Sequence, residues 1–152
     1  MFFLQKSLCF IICLLWFSLG FAGINNPLII NFSKTQYGAA NKNWSISEDE
    51  HGILYFGNDI GLLEFDGIEW KLNKLPKAEV VRSVYVVSNN EIYTGGYEEF
   101  GKWSRQPDGE LTYTSLSKEL PTDNWQNDDI WRILPQGESI YFQSFSGIFR
   151  HH

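Results

Sequence analysis

The chain has 152 residues, with 12 basic and 18 acidic side chains, a net charge of −6, and 16% aromatic residues. An acidic balance without a basic patch argues against a nucleic-acid surface. Both cysteines, Cys9 and Cys13, lie near the amino terminus. The rest of the chain therefore offers no disulfide, thiolate nucleophile or cysteine metal site.

Residues 1–22 read as a secretory signal. Lys6 precedes an apolar run from Leu8 to Leu19, and Gly20-Phe21-Ala22 supplies a small-x-small cleavage site before Gly23. The run is shorter than the roughly 20 apolar residues of a spanning helix, although an uncleaved anchor is the competing reading. Residues 23–42 form a lead-in. Within it Leu28-Ile29-Ile30-Asn31-Phe32 predicts a short strand, one that could complete a blade elsewhere.

From Asn43 the chain repeats itself. Apolar and polar residues alternate through Trp44–Glu48, a turn at Gly52 leads to Leu54-Tyr55-Phe56-Gly57, and Gly61 opens Leu62–Phe65. Asp66-Gly67 then turns the chain into Ile68–Leu72. These are four short strands with hairpin turn chemistry and no helical period. The pattern returns with Arg82–Val87, Glu91–Gly95, Phe100–Trp103 and Leu111–Thr114, and again with Trp131–Leu134, Ser139–Phe142 and Gly147–Phe149. Trp44, Arg82 and Trp131 are spaced by 38 and 49 residues; Tyr55, Tyr93 and Tyr141 by 38 and 48; Gly61, Gly101 and Gly147 by 40 and 46.

Four-stranded repeats of this length are the signature of β-propeller blades. The expected fold is all-β, with blades at 43–79 and 80–128 and a partial third at 129–152, about two and a half blades of four antiparallel strands. A β-sandwich with coincidental spacing is the alternative. Gln143 stands where a strand-ending glycine is expected, which puts the third blade's turn in question. The third copy stops before a fourth strand, and neither end offers a polar cap.

Gly52-Ile53-Leu54-Tyr55-Phe56-Gly57-Asn58-Asp59-Ile60-Gly61-Leu62-Leu63-Glu64-Phe65-Asp66-Gly67 resembles the repeat of the two-component regulator propeller family. With Asn43-Trp44 ahead and Tyr93 to Gly101 behind, it looks closest to propellers of Bacteroidetes regulators, and the resemblance spans about residues 31–150. It implies a periplasmic ligand-sensing portion of a membrane-bound signal-transduction or transcriptional regulator, in many members glycan-responsive. Such propellers are followed by a Y_Y_Y domain and a histidine kinase or LuxR-type helix-turn-helix output. The implied partners are a small-molecule or glycan ligand and the remaining blades of a parent chain, with the membrane reached only through that parent. An exported scaffold or surface-assembly protein is the second reading, and a propeller glycosidase or lyase fragment the third.

No catalytic motif, cofactor or metal site is expected. Glu48-Asp49-Glu50 and Asp128-Asp129 read as solvated turns, since a calcium loop counted from Asp49 would put Ile60 at its twelfth position. Glu98 and Glu99 are adjacent in sequence, so in a strand they face opposite ways. The candidate ligand-binding residues are Arg82, Trp44, Trp131, Asn58, Asp59, Tyr97, Glu98 and Phe145, with Ser144 beside the last. They sit on first strands or on loops joining second and third strands, where aromatic faces beside carboxylates suit sugars or peptides. Trp44 and Trp131 could equally be packing residues. Arg82 shares their repeat position and is the least core-like of the three.

Overall fold

The computed structural model describes residues 27–76, 80–120 and 127–152. The predicted signal segment lies outside them, as do 77–79 and 121–126. Among the described residues no helix is long and apolar enough to cross a membrane. Two compact units are distinguished, residues 1–31 and residues 32–152. In the first, Leu28, Ile29 and Ile30 are exposed and form no strand, so the strand expected there is absent.

The second unit opens with a single helical turn, α1 (Lys34–Tyr37). It is started by the Ser33 backbone N–H donating to Gln36 Oε1 at 2.7 Å and ended at Gly38, whose φ of 63° takes the left-handed conformation open to glycine. Eleven strands follow: β1 (Asn43–Glu48), β2 (Leu54–Asn58), β3 (Gly61–Phe65), β4 (Trp70–Asn73), β5 (Val81–Ser88), β6 (Glu91–Gly96), β7 (Glu99–Arg105), β8 (Leu111–Ser115), β9 (Arg132–Gln136), β10 (Ser139–Gln143) and β11 (Ile148–His151). They form three antiparallel sheets in the orders β1-β2-β3-β4, β5-β6-β7-β8 and β9-β10-β11. The sheets do not close into a ring. The fourth strand of the first sheet starts at Trp70 rather than Ile68, because Asp66 accepts the N–H groups of Ile68 and Glu69 at 2.8 and 2.7 Å and prolongs the turn.

The registers align the three sheets at the tyrosines and at the strand-ending position. Tyr55 pairs with Ser47, Tyr93 with Tyr85, and Tyr141 with Leu134; Gly57 pairs with Ser45, Gly95 with Ser83, and Gln143 with Arg132. One landmark needs correction. Leu62, Phe100 and Ile148 are the true equivalents opposite Gly57, Gly95 and Gln143, so Gly101 falls one position inside β7 and Glu99 takes the place of Gly61 and Gly147. Gly101 is needed for a different reason: a Cβ there would lie 2.6 Å from the Tyr113 hydroxyl oxygen, whose ring packs across it against Trp103.

Successive sheets pack by the same contact. On the first sheet Tyr55 and Leu62 face Val86, Ile92 and Trp103 of the second. On the second sheet the equivalents Tyr93 and Phe100 face Ile133 and Phe142 of the third, together with Ile130 from the segment that leads into β9. Phe100 and Phe142 stack with centroids 4.4 Å apart, and Tyr93 meets Phe142 edge-on at 5.9 Å. A buried charged network joins the first pair of sheets. Arg105 Nη2 donates to Glu64 Oε1 at 2.7 Å and to the Tyr55 hydroxyl at 2.8 Å, and that hydroxyl donates to Asp49 Oδ2 at 3.2 Å. Burial, with Glu64 adding to it, pushes the Tyr55 hydroxyl far above the usual tyrosine range, so it remains the donor in this chain.

The far face of the first sheet is not bare. Phe32 lies 5.2 Å from both Phe65 and Trp70, those two stack at 4.2 Å, and Tyr37 adds a contact to Trp70 at 5.7 Å. This aromatic plug from the lead-in covers that face although, as the sequence indicates, no polar cap is present there.

Gly57 and Gly95 set the distance between sheets. A Cβ at Gly57 would sit 2.7 Å from Val81 O, and one at Gly95 would sit 2.6 Å from Ile130 Cβ and 2.8 Å from Ser83 Oγ. The strand-ending glycine therefore serves the inter-sheet approach and not the following turn. That is why β10 and β11 pair normally despite Gln143, with Ser144 N donating to Gly147 O at 2.9 Å. Gly95→Ala should cost ~1–3 kcal/mol through overpacking, although alanine ordinarily improves a strand. Gly147→Ala, whose Cβ would meet only Phe149 Cζ at 3.7 Å, should be near neutral. Urea midpoints of the two variants check this; equal midpoints would remove the glycine's assigned role.

Candidate functional site

The three residues at the shared repeat position converge at one end of the sheets. Trp44 and Arg82 each occupy a register shift in the first strand of their sheet, between Asn43 and Ser45 and between Val81 and Ser83. A bulge of this kind re-aims the extra side chain. Trp131 stands just before β9, its N–H donating to Gln143 O at 2.9 Å. The Arg82 guanidinium carbon is 3.9 Å from the Trp44 ring centroid and 5.6 Å from that of Trp131. One cation thus bridges rings from the first and third sheets, an attraction worth ~0.5–2 kcal/mol depending on desolvation.

Two carboxylates hold the guanidinium. Arg82 Nε donates to Asp129 Oδ1 at 3.2 Å, and Nη1 lies 4.0 Å from Asp59 Oδ1. Asp59 also accepts from Trp44 Nε1 at 2.7 Å, and Lys42 Nζ lies 5.6 Å from the Trp44 ring. Arg82 Nη1 is buried with no hydrogen-bond partner among the described protein groups. The outer aromatic surfaces stay in solvent: Trp44 is 41% exposed, Trp131 37% and Phe145 82%. Phe145 continues the row, its ring 5.5 Å from Trp131.

A latch fixes the Phe145 loop. Asp128 accepts from Ser146 N at 2.8 Å, Ser146 Oγ at 2.7 Å and Phe145 N at 3.3 Å. Burial works to raise the pKa of this carboxyl, but the Ser146, Ser144 and Phe145 donors outweigh it and bring it down to about 2. The segment carrying Asp128 extends the second sheet beyond β6: Ile130 N donates to Gly96 O and Glu98 N to Asp128 O, both at 2.9 Å, around a Tyr97–Asp129 bridge. Glu98 and Asn127 take left-handed φ values of 50° and 57° in this corner, where the Tyr97 hydroxyl donates to Asn127 Oδ1 and the Glu98 carboxylate accepts from Asn127 N.

The eight sequence candidates therefore divide. Trp44, Arg82, Asp59, Trp131 and Phe145 form one contiguous group. Tyr97 and Glu98 are exposed but are tied to Asn127 rather than to that group. Asn58 is fully buried and does a loop's work: its amide nitrogen donates to Ala40 O, Lys42 O and Asn43 Oδ1, and its oxygen accepts from Ala40 N and Ile60 N. Ser144 is buried as well. Asp128 and Asp129, read from sequence as a solvated turn, instead form the latch and the principal partner of Arg82. Asp49 does cap its turn, accepting from His51 N and Ile53 N at 2.9 Å, but it is buried rather than solvated, because its other oxygen takes the Tyr55 hydroxyl. Glu98 and Glu99 diverge, the latter accepting hydroxyls from Tyr113, Ser115 and Ser117.

The Asp128 latch has a pH signature. With the folded pKa depressed to about 2 against ~3.9 in the unfolded chain, its contribution is complete above the unfolded value. It is lost as pH falls through the folded one. Asp128→Asn should flatten the fall in denaturant stability between pH ~4 and ~2 relative to wild type. An unchanged slope would mean the latch carries no linked proton.

No family model matches the sequence, and no curated protein matches it. Among solved structures, the fold is similar to the extracellular domain of a proposed one-component system, BT4673, from B. thetaiotaomicron. The TM-score is 0.62 at 16% identity over 85% of this chain. The match takes in 18% of that chain, so the present sequence spans less than a fifth of its neighbour's length. At this identity the likeness establishes a shared all-β fold.

Proposed function

We propose that the chain is part of the exported, ligand-binding portion of a membrane-bound signal-transduction regulator, and that its ligand is a glycan seated on the Trp44–Arg82–Trp131–Phe145 row. The observation that carries this reading is the convergence of three equivalent repeat positions into one ordered aromatic row with solvent-facing rings. A solvated sugar ring offers an apolar CH face to an aromatic surface and hydroxyls to nearby carboxylates, and both kinds of group stand together here. Arg82 supplies rigidity. Sandwiched near two indoles and held by Asp129 and Asp59, it fixes the rings before a ligand arrives, which lowers the ordering cost of binding. The signal-like first 22 residues and the fold shared with another protein's extracellular domain both support export and sensing.

A glycan array on the exported chain, followed by calorimetric titration of the best hit, tests the proposal. Phe145→Ala and Trp131→Ala should each weaken binding about tenfold or more, on the order of 1.4 kcal/mol. Phe145→Ala should leave the melting temperature unchanged, since that ring is 82% exposed. Binding indifferent to both changes, or no glycan bound at all, would refute the reading.

A further inference from the structure

Tyr97, in the short link between β6 and β7, bonds to Asn127, yet its backbone stands opposite Asp129. The bonds from Ile130 N to Gly96 O and from Glu98 N to Asp128 O flank this pair on either side, which makes it a non-hydrogen-bonded antiparallel pair. Such a pair brings its Cα atoms to about 4.5 Å and sets both side chains close together on one face. That face is the outer one. Along residues 127–131 burial alternates, with Asp128 and Ile130 buried and Asn127, Asp129 and Trp131 pointing the other way. The Tyr97 hydroxyl donates to Asn127 Oδ1 at 3.0 Å on this same face, and the residue is 46% exposed. Its ring therefore stands beside Asp129, on the side that carries Trp131.

The position of Tyr97 along the aromatic row decides what it can do. Asp129 bonds Arg82 Nε at 3.2 Å, and Arg82 lies between Trp44 and Trp131, with Phe145 beyond Trp131. Tyr97 thus joins the row at its middle and not at an end. A linear run of sugars laid along the row passes this point, whereas a sugar attached as a branch reaches the Tyr97 ring. The arm is also held in place. Glu98 and Asn127 keep left-handed φ values of 50° and 57°, and the Glu98 carboxylate accepts from Asn127 N. Non-glycine residues persist in that region only where their surroundings over-determine them. A ring and an amide ordered in this way lose little freedom when a ligand arrives. We propose that the site takes a branched glycan, its main chain on the Trp44–Arg82–Trp131–Phe145 row and a side-chain sugar stacked on Tyr97. The Asn127 amide is the hydrogen-bonding partner for that sugar's hydroxyls. This inference rests on the glycan reading of the row.

The test is calorimetric titration of the full chain carried through export with matched oligosaccharides. The probes are cello-, manno- and xylo-oligosaccharides, each in linear form and with a xylosyl, galactosyl or arabinosyl side-chain sugar respectively. Where a pair binds, the substituted member should bind about tenfold more tightly than the linear one. Tyr97→Ala should erase that advantage and leave the affinity for the linear member unchanged, whereas Phe145→Ala should weaken both. Tyr97→Phe, which keeps the ring, should retain most of the advantage. Asn127→Gly, which suits the left-handed φ, should reduce it, and replaces Tyr97→Ala if that variant lowers the melting temperature. Equal affinity for both members of a pair, or an advantage that survives Tyr97→Ala, would overturn the branched ligand and leave the reading of the row intact. Binding to none of these oligosaccharides would overturn it as well, and the glycan array would then decide the row alone.

Discussion

One contact governs this structure: the second strand of each sheet lies against the first strand of the next, at a separation only glycine permits. Gly57 sits against Val81 and Gly95 against Ile130, two residues ahead of β9, and around these points the Tyr55 and Tyr93 faces are buried. A sheet of short strands has one apolar face too many to stand alone, and stacking on its neighbour removes that face from water. Among the described residues the buried aromatic rings gather at these junctions or under the plug that Phe32 and Tyr37 place on the first sheet. Because the junctions are alike, equivalent residues in successive sheets are carried to equivalent places. That regularity is what gathers Trp44, Arg82 and Trp131 at one end.

Two arginines pin the sheets electrostatically, in contrasting surroundings. Arg105 is 16% exposed and shares a short bond with Glu64, itself 10% exposed. Buried pairs of this kind are costly to break because the remaining charge is left unpaired, more than they are strong in net stability. Arg82 is similarly enclosed but adds two aromatic rings to its two carboxylates, so it reaches all three sheets from one position. The first serves packing alone. The second, at the edge of an exposed aromatic row, orders a surface that faces solvent.

Much of this organisation was legible in the sequence because strand alternation, Asp-Gly turns and the tyrosine spacing are local signals. Tyr55, Tyr93 and Tyr141 fell in matching registers as their intervals implied. The glycine landmark fails at Gly101, which lies one position beyond the equivalent of Leu62 and Ile148; it admits the Tyr113 ring, a tertiary contact that local spacing does not encode. The lead-in misled in the same way. Leu28 to Phe32 has a strand's composition, yet Phe32 spends its ring on Trp70 and no strand forms. At the site, shared repeat position picked out Trp44, Arg82 and Trp131 together. The Asp129 partnership with Arg82 spans 47 residues and leaves no local signal, and Asn58, at the end of β2, resembles a binding amide in sequence because a side chain that satisfies nearby backbone has the same composition.

The claim on which the account stands is that the repeats are stacked so as to bring the first-strand residue of one sheet over that of the next. A double-mutant cycle between Trp44 and Arg82, using Trp44→Leu and Arg82→Met and reading unfolding free energies in urea, measures that contact directly. A coupling of about 1 kcal/mol is predicted for a partly desolvated guanidinium 3.9 Å from an indole centroid. Additivity within ~0.3 kcal/mol would mean that the two side chains do not meet, and that the stacking of the first two sheets is not as described.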